Sequence, residues 1–542
     1  MGNNIPVFFI QDAMKFPDLV HAVKMEPDRG FPQAASAHDT FWDFVSLMPE
    51  TLHTVMWAMS DRTLPRSLRM MEGFGVHSFR LLNAAGESTF VKFHWRPKLG
   101  IQSTVWDEAV KLQSADNDFH RRDLFESIEA GDFPEWELSV QLFTDEDAQD
   151  FPFDHLDPTK LIPEELIPLQ PVGRMVLNRW PDNFFAETEQ VAFCPANVPP
   201  GIDFSNDPLL QGRLFSYLDT QLSRLGGPNF AQIPINAPKC PFHNNQRDGH
   251  MQMQVPKGRV NYEPSSLQAD TPRASQAQGF RHFAQADDGV KGRVRAESFA
   301  DHYSQARMFY RSQSPLEQAH LASATVFELS KVGTPHVREA VVGHLQHVDA
   351  ELAQRVADGL GMQALPPAPP TVEPVQDLPL SPALRIIDRM KPTLQGRAIG
   401  ILVADGSNGT SVANLRKALE KAGATVKIVA PKVGGAVLKD GTLLPADGQL
   451  AGTPSVVFDA VASVLAPDMG EALAREAAAV DWFRDAFGHL KAIAACKGTQ
   501  AILQAGGIEP DAGVVDPADV QGFIAAAQTR QWDREPQVRT LA

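Results

Sequence analysis

A proline-rich run, QALPPAPPTVEPVQDLPLSP at residues 363–382, divides this chain into two parts that cannot share a continuous element. Proline lacks the backbone donor and favours polyproline II, so the run reads as a semi-rigid spacer within a linker drawn over 363–394. The two sides differ in hydrophobic period. Beyond the linker, residues 395–542 alternate apolar strands with helices: AIGILVAD, then SVANLRKALEKAG ended by glycine, then TVKIVAP. SVVFDAV, an Ala-rich helix and LKAIAAC continue the rhythm. Strands alternating with helices predict an α/β domain on a doubly wound parallel sheet.

Before the linker the pattern has three parts. Residues 1–195 mix apolar runs such as HSFRLLN, STFVKFHW and GRMVLNR with turn signals. Trp136 to Phe143 alternates with the strand period, and 104–129 is more helical. This predicts a largely antiparallel sheet or barrel with helical insertions, hence an α+β region. Residues 196–297 are rich in Pro, Asn, Gly and Gln, and their apolar anchors (Leu209, Leu210, Leu214, Phe215, Phe230) predict a segment that wraps other surfaces. Residues 298–362 carry helical spacing and read as a helical domain.

At 542 residues the chain is long enough for several units, at roughly 150 residues per domain. A net charge of -17 argues against nucleic acid, because a phosphate backbone needs a basic surface, and against an anionic membrane. No apolar run reaches the length of a membrane span. Cys194, Cys240 and Cys496 are far apart, with no CxxC pair, so neither a zinc site nor a disulfide framework is indicated. That fits a reducing, cytoplasmic setting. The opening has no basic leader, and IPVFFI at 5–10 reads as a buried strand. Folds seldom begin inside a core strand, so the true start of this one is expected upstream of Met1.

Only four tyrosines occur, and Tyr217 follows Arg213 by one helical turn. An arginine that close favours an ionised phenol oxygen, a hard donor suited to ferric iron. Spacing alone leaves a buried tyrosine packed beside a helical arginine as the plainer alternative. Further chemistry-bearing candidates are weaker. Asp405-Gly-Ser-Asn-Gly-Thr-Ser411 follows a strand and is read as a helix cap through Ser407 or Thr410 rather than a phosphate cradle. Cys496 sits at a strand-to-helix turn with Lys497 next to it and no base identifiable. His336, His344 and His347 read as a solvated helix face.

The stretch Asp207-Pro-Leu-Leu-Gln-Gly-Arg-Leu-Phe-Ser-Tyr-Leu-Asp-Thr220 resembles the proximal haem-ligand signature of catalases. Gly2-Asn3-Asn4-Ile-Pro-Val-Phe-Phe-Ile-Gln-Asp12 is similar to their distal-asparagine segment. Trp42-Asp-Phe, Pro49-Glu50, Ser60-Asp-Arg62, Pro171 to Arg179, Phe184 to Phe193 and Gln246-Arg-Asp-Gly249 extend the likeness, with spacing preserved, over about residues 2–265. The domain beyond the linker is similar to the flavodoxin-like, class I amidotransferase-like domain of large-subunit, hydroperoxidase II-like catalases.

This resemblance implies a haem enzyme (haem b or a modified form) that disproportionates hydrogen peroxide as an oxidative stress response. It implies an incomplete antiparallel β-barrel core, a homotetramer and no NADPH, since the C-terminal domain is expected to occupy that region. Tyr217 would be the proximal metal ligand, a pairing long known for catalases. Arg213 would hold its phenolate, with His77 and Asp207 completing a relay. Arg224 would meet a haem propionate. Asn3 would be the catalytic amide that orients peroxide. Phe16 would stack on a pyrrole ring, and Phe8 and Phe9 would line a dry cavity. The family's distal histidine would lie upstream of Asn3, so the chain reads as N-terminally truncated, with little turnover expected of it alone. The alternatives are a catalase-related enzyme of other hydroperoxides and a non-enzymatic haem-binding or subunit fragment.

Overall fold

A computed structural model describes all residues except 1–3, 34, 240–243, 270–271, 274, 276–278, 287–288, 291, 293 and 540–542. The chain before the linker is built on an antiparallel sheet. Its strands are β1 (Gly73–Phe74), β2 (Phe79–Leu82), β3 (Ser88–Pro97), β4 (Glu135–Phe143), β5 (Gln170–Val176) and β6 (Ile202–Phe204). The order is β5-β4-β3-β2-β6, with β1 also on β3. Among the described residues β5 and β6 do not pair, so this sheet is open and no closed barrel forms.

β1 and β2 lie along the same edge of β3, paired at Trp95/His94 and at Val91 to Ser88 respectively. Between them the chain kinks. Val76 adopts φ 64°, and the His77 amide donates to the Gly75 carbonyl at 2.8 Å, an i to i+2 turn. A β-branched residue in the left-handed region is costly, on the order of 1–3 kcal/mol, and persists only where its surroundings over-determine it.

Helices α1 (Phe16–Val23), α2 (Asp39–Leu47) and α3 (Leu52–Ala58) precede the sheet, while α4 (Trp106–Ala115) and α5 (Phe119–Glu129) divide the helical stretch expected over 104–129. The run IPVFFI is not a strand. Val7 and Ile10 are fully buried, but among the described residues only Phe8 of this run's backbone reaches another segment, donating to the Pro158 carbonyl at 2.9 Å. Burial alone produced the apolar run; no ladder does. Helix α6 (Asp145–Gln149) caps the end of β4, and the long α7 (Pro208–Arg224) follows β6.

Helices α8 (Ser304–Ser312), α9 (Pro315–Leu329), α10 (Pro335–Val348) and α11 (Ala350–Gly359) share one core with α2 and α3, through Trp42, Trp57, Phe309 and Leu345. Beyond the linker β7 (Ala398–Val403), α12 (Gly409–Lys421) and β8 (Thr425–Ala430) open a second, parallel sheet. A two-stranded ribbon, β9 (Ala436–Val437) with β10 (Leu443–Leu444), comes next. β11 (Gly448–Gln449), β12 (Ala460–Val464), β13 (Ile493–Ala494) and β14 (Val514–Val515) complete the order β11-β8-β7-β12-β13-β14. SVVFDAV is a strand only from Ala460, because 455–457 is a short 3-10 turn, and the Ala-rich helix is two helices, α13 (Pro467–Leu473) and α14 (Ala477–Gly488).

Candidate functional site

Helix α7 starts where it does because Asp207 caps it. Its Oδ1 accepts from the Leu209 and Leu210 amides at 2.9 and 3.1 Å, and Pro208 takes the first position, where no donor is needed. The second oxygen, Oδ2, lies 2.5 Å from His77 Nδ1. Cap and carboxylate partner are thus one buried group, 1% exposed.

From His77 the chain of bonds continues outward. Arg213 Nη1 lies 3.0 Å from His77 Nε2, and Arg213 Nη2 donates to the Tyr217 hydroxyl oxygen. Arginine has no acceptor, so His77 must present a lone pair at Nε2 and carry its proton at Nδ1, towards Asp207. The order Asp207–His77–Arg213–Tyr217 is therefore directional. It begins fully buried and ends at a half-buried oxygen. The Arg213 guanidinium also lies 4.8 Å from the Tyr217 ring centre.

The aromatic segment before α1 packs against the same helix. Ile10, Leu19 and Leu209 form a small core with Phe8 and Phe9 around it. A Cβ on Gly212 would lie 2.2 Å from Ala13 Cβ, so only glycine permits this close approach. Phe16, three residues beyond that contact, is 44% exposed. Arg224 spends its terminal nitrogens on the Glu189 and Val191 carbonyls, at 2.8 and 2.6 Å, and on Gln221 Oε1. Asn3 lies outside the described residues. Among the described residues no group of three or more His, Cys, Asp or Glu could hold a metal ion. A metal on Tyr217 would bring its other ligands with it, as the iron of a porphyrin does. An oxygen donor backed by an arginine, itself anchored from within, fits ferric haem iron.

Residues 1–269 match a family profile described as catalase, residues 296–360 one described as catalase-related immune-responsive, and residues 395–536 one described as the C-terminal domain found in long catalases. Catalase C of Rhizobium meliloti (strain 1021) is 56% identical, over 99% of this chain and 77% of that protein. The chain belongs to the catalase family. Catalase HPII of Pseudomonas putida (52% identical, 99% of this chain, 76% of that protein) and Catalase-2 of Bacillus subtilis (strain 168) (49%, 98% and 78%) place it among the large-subunit catalases.

Other sequence candidates in this catalase resolve into structural roles. Asn408, not Ser407 or Thr410, caps α12, accepting from the Ser411 amide at 3.0 Å. Ser407 instead bridges the Ala404 amide and the Val464 carbonyl. Cys496 has an ordinary extended backbone (φ -80°), unlike the strained turn of a nucleophile elbow, and its thiol meets Leu465 and Thr499 rather than a base. His344 is buried rather than solvated, joining the Tyr303 hydroxyl at 2.8 Å to the Ser46 carbonyl at 2.7 Å. Cys194 is a half-buried free thiol.

Sequence reasoning passed over Lys92. It lies on β3 inside the apolar run STFVKFHW and is 5% exposed, and its ammonium donates to the Val76 carbonyl at 3.0 Å. A lysine in a run otherwise apolar enough to be core was the available signal.

Proposed function

We propose that this chain disproportionates hydrogen peroxide to water and dioxygen at a haem whose iron is held by Tyr217, in the cell's defence against oxidative stress. The observation that carries this reading is the unbroken relay from the buried Asp207 to the Tyr217 oxygen. The haem, when bound, supplies the redox centre that takes two oxidising equivalents from one peroxide and returns them to a second.

The chain's own residues do the rest. Arg213 directs an N–H at the tyrosinate oxygen and keeps the ligand anionic and oriented. His77 holds Arg213 in plane, and Asp207 fixes the His77 tautomer. Phe8 and Phe9 exclude water beside α7, Phe16 offers a ring face, and Asn3 donates its amide to peroxide. Arg224 would be the residue that holds a haem propionate. The open antiparallel sheet is read as part of a catalase β-barrel. The parallel sheet is read as flavodoxin-like, supported by its 2-1-3-4-5 strand order with β11 added at the edge. Residues 196–297 are read as an arm buried against other copies in a homotetramer, which their exposed Phe215, Met253 and Val255 support.

The test is Tyr217→Phe, with the visible spectrum and oxygen release measured on protein supplied with haem. Loss of both the tyrosinate-type spectrum and oxygen release is expected; a variant that keeps both sinks the reading.

A further inference from the structure

Three lysines are buried among the described residues: Lys92, Lys160 and Lys491. Two have a carboxylate partner, Lys160 with Asp157 at 3.1 Å and Lys491 with Glu108 at 2.9 Å. Lys92 has none. Its ammonium donates only to main-chain carbonyls, those of Val76 at 3.0 Å and Lys160 at 3.4 Å. Burying an ammonium on carbonyls alone is expensive, so the arrangement calls for a purpose. Burial pushes the Lys92 ammonium down to about 8, and the fields of Asp207 and Asp157 oppose that.

Its place on the sheet supplies one. β3 is paired by β1 at Phe74–His94 and by β2 at Phe79–Val91, so Lys92 stands across from the gap between those strands. That gap is the left-handed turn at Val76, and the next residue is His77. Among the described residues three hydrogen bonds hold the backbone of the turn: the Gly75 amide on the Phe93 carbonyl at 2.8 Å, the His77 amide on the Gly75 carbonyl, and Lys92 on the Val76 carbonyl. Only the last comes from a side chain. A relaxed strand through Val76 would turn successive side chains to opposite faces and redirect the imidazole of His77, which must meet Asp207 and Arg213 at once.

We infer that Lys92 is a positioning residue of the haem-ligand relay: it clamps the strained turn that presents His77 to Asp207 and Arg213. The inference rests on the reading of Tyr217 as the haem ligand.

The experiment compares Lys92→Met and Lys92→Gln holoenzymes with the unmodified holoenzyme. For Lys92→Met the expected result is haem uptake within about twofold and Tm within a few degrees of the parent, a shifted tyrosinate-type absorption band, and kcat about tenfold lower at unchanged KM. Lys92→Gln keeps an N–H for the Val76 carbonyl and should recover most of the band position and rate. An unshifted band in Lys92→Met, a loss of rate that merely follows loss of haem, or a Gln variant no better than Met overturns the clamp. Should Lys92→Met fail to fold, it is remade on Val76→Gly, where left-handed backbone costs little. That double variant should fold with a near-parental band, and one that stays defective overturns the inference. Tyr217→Phe separates the two failures: if it leaves the haem spectrum unchanged, the ligand reading is what has failed.

Discussion

Two chains of buried charge run through this catalase, and they end differently. At the seam between the core and the C-terminal domain, Glu108 on α4 meets Lys491 and Arg530 at 2.9 and 2.8 Å. Arg66 holds Asp459 through two bonds of 2.6 and 2.8 Å. His320 on α9 sits between Asp61 at 2.7 Å and Glu535 at 3.1 Å. Each of these four seam cations, Lys491, Arg530, Arg66 and His320, closes on a carboxylate. The relay on α7 has one carboxylate at its buried end and stops at the half-buried oxygen of Tyr217. A closed cluster can only hold two bodies together, whereas an open-ended one presents its last atom to a ligand. Buried charge alone does not mark a site; the uncapped end does.

The largest effect expected is at the seam. Burial alone would raise the Glu108 carboxyl, but Arg530 and Lys491 outweigh it and hold it down at about 2. Glu108→Ala would strand Lys491 without its carboxylate, at a cost of about 3–5 kcal/mol. Calorimetry should show the C-terminal domain melting earlier, while oxygen release per folded, haem-loaded chain is unchanged. A fall in turnover with no change in melting would erase the distinction between the two clusters.

The converse variant is Arg213→Leu, which leaves Asp207 and His77 paired but takes the donor from Tyr217. Losing one charged donor at a reacting centre costs about a hundredfold in kcat. The seam should melt as before.

The two regions should also separate with pH. Burial lowers His320, but Asp61 and Glu535 outweigh it and push it up to about 10. Its contribution is complete below the free-histidine value of 6.5 and fades as pH rises through about 10. Core histidines behave oppositely. Burial pushes His53 and His155 down to about 4, so they fold neutral, and the unfolded chain binds the extra protons. Each then removes about 1.4 kcal/mol per pH unit as pH falls from 6.5 towards 4. Alkaline solution should loosen the seam first and mild acid the core first, visible as a reversal in the order of two melting transitions. A single transition at every pH would show that the regions do not unfold separately.

How much of this was legible in the sequence depended on range. The parallel sheet was readable because β7 and β12 are short apolar runs buried on both faces, and β8 is buried on both faces over its last three residues. The Arg213–Tyr217 pair was readable because one helical turn joins them. The His77–Asp207 bond spans 130 residues and no local pattern encodes it; only the family likeness pointed there. The run at 5–10 misled because core burial without a ladder leaves the same apolar signature as a strand. His344 misled because helical spacing does not say which side faces α2 and Tyr303. Lys92 went unread because a charge in a strand is usually a solvated one, and only the kink opposite it shows otherwise.

The smallest effect tests a local rule at a distance from both clusters. Ser407 and Thr410 both have hydroxyls that could cap α12, but Ser407 is committed to tying the end of β7 to β12 through the Ala404 amide and the Val464 carbonyl. That leaves Asn408 to satisfy one of the free first-turn amides, that of Ser411, which it does from an extended backbone (ψ 107°) as capping requires. Asn408→Ala should therefore cost about 1 kcal/mol of C-terminal domain stability, and Thr410→Ala close to nothing. Ser407→Ala should exceed both, because it strands a buried amide and loosens the joint between two strands. If Asn408→Ala proved the costliest of the three, capping rather than strand bridging would be what fixes this end of the parallel sheet.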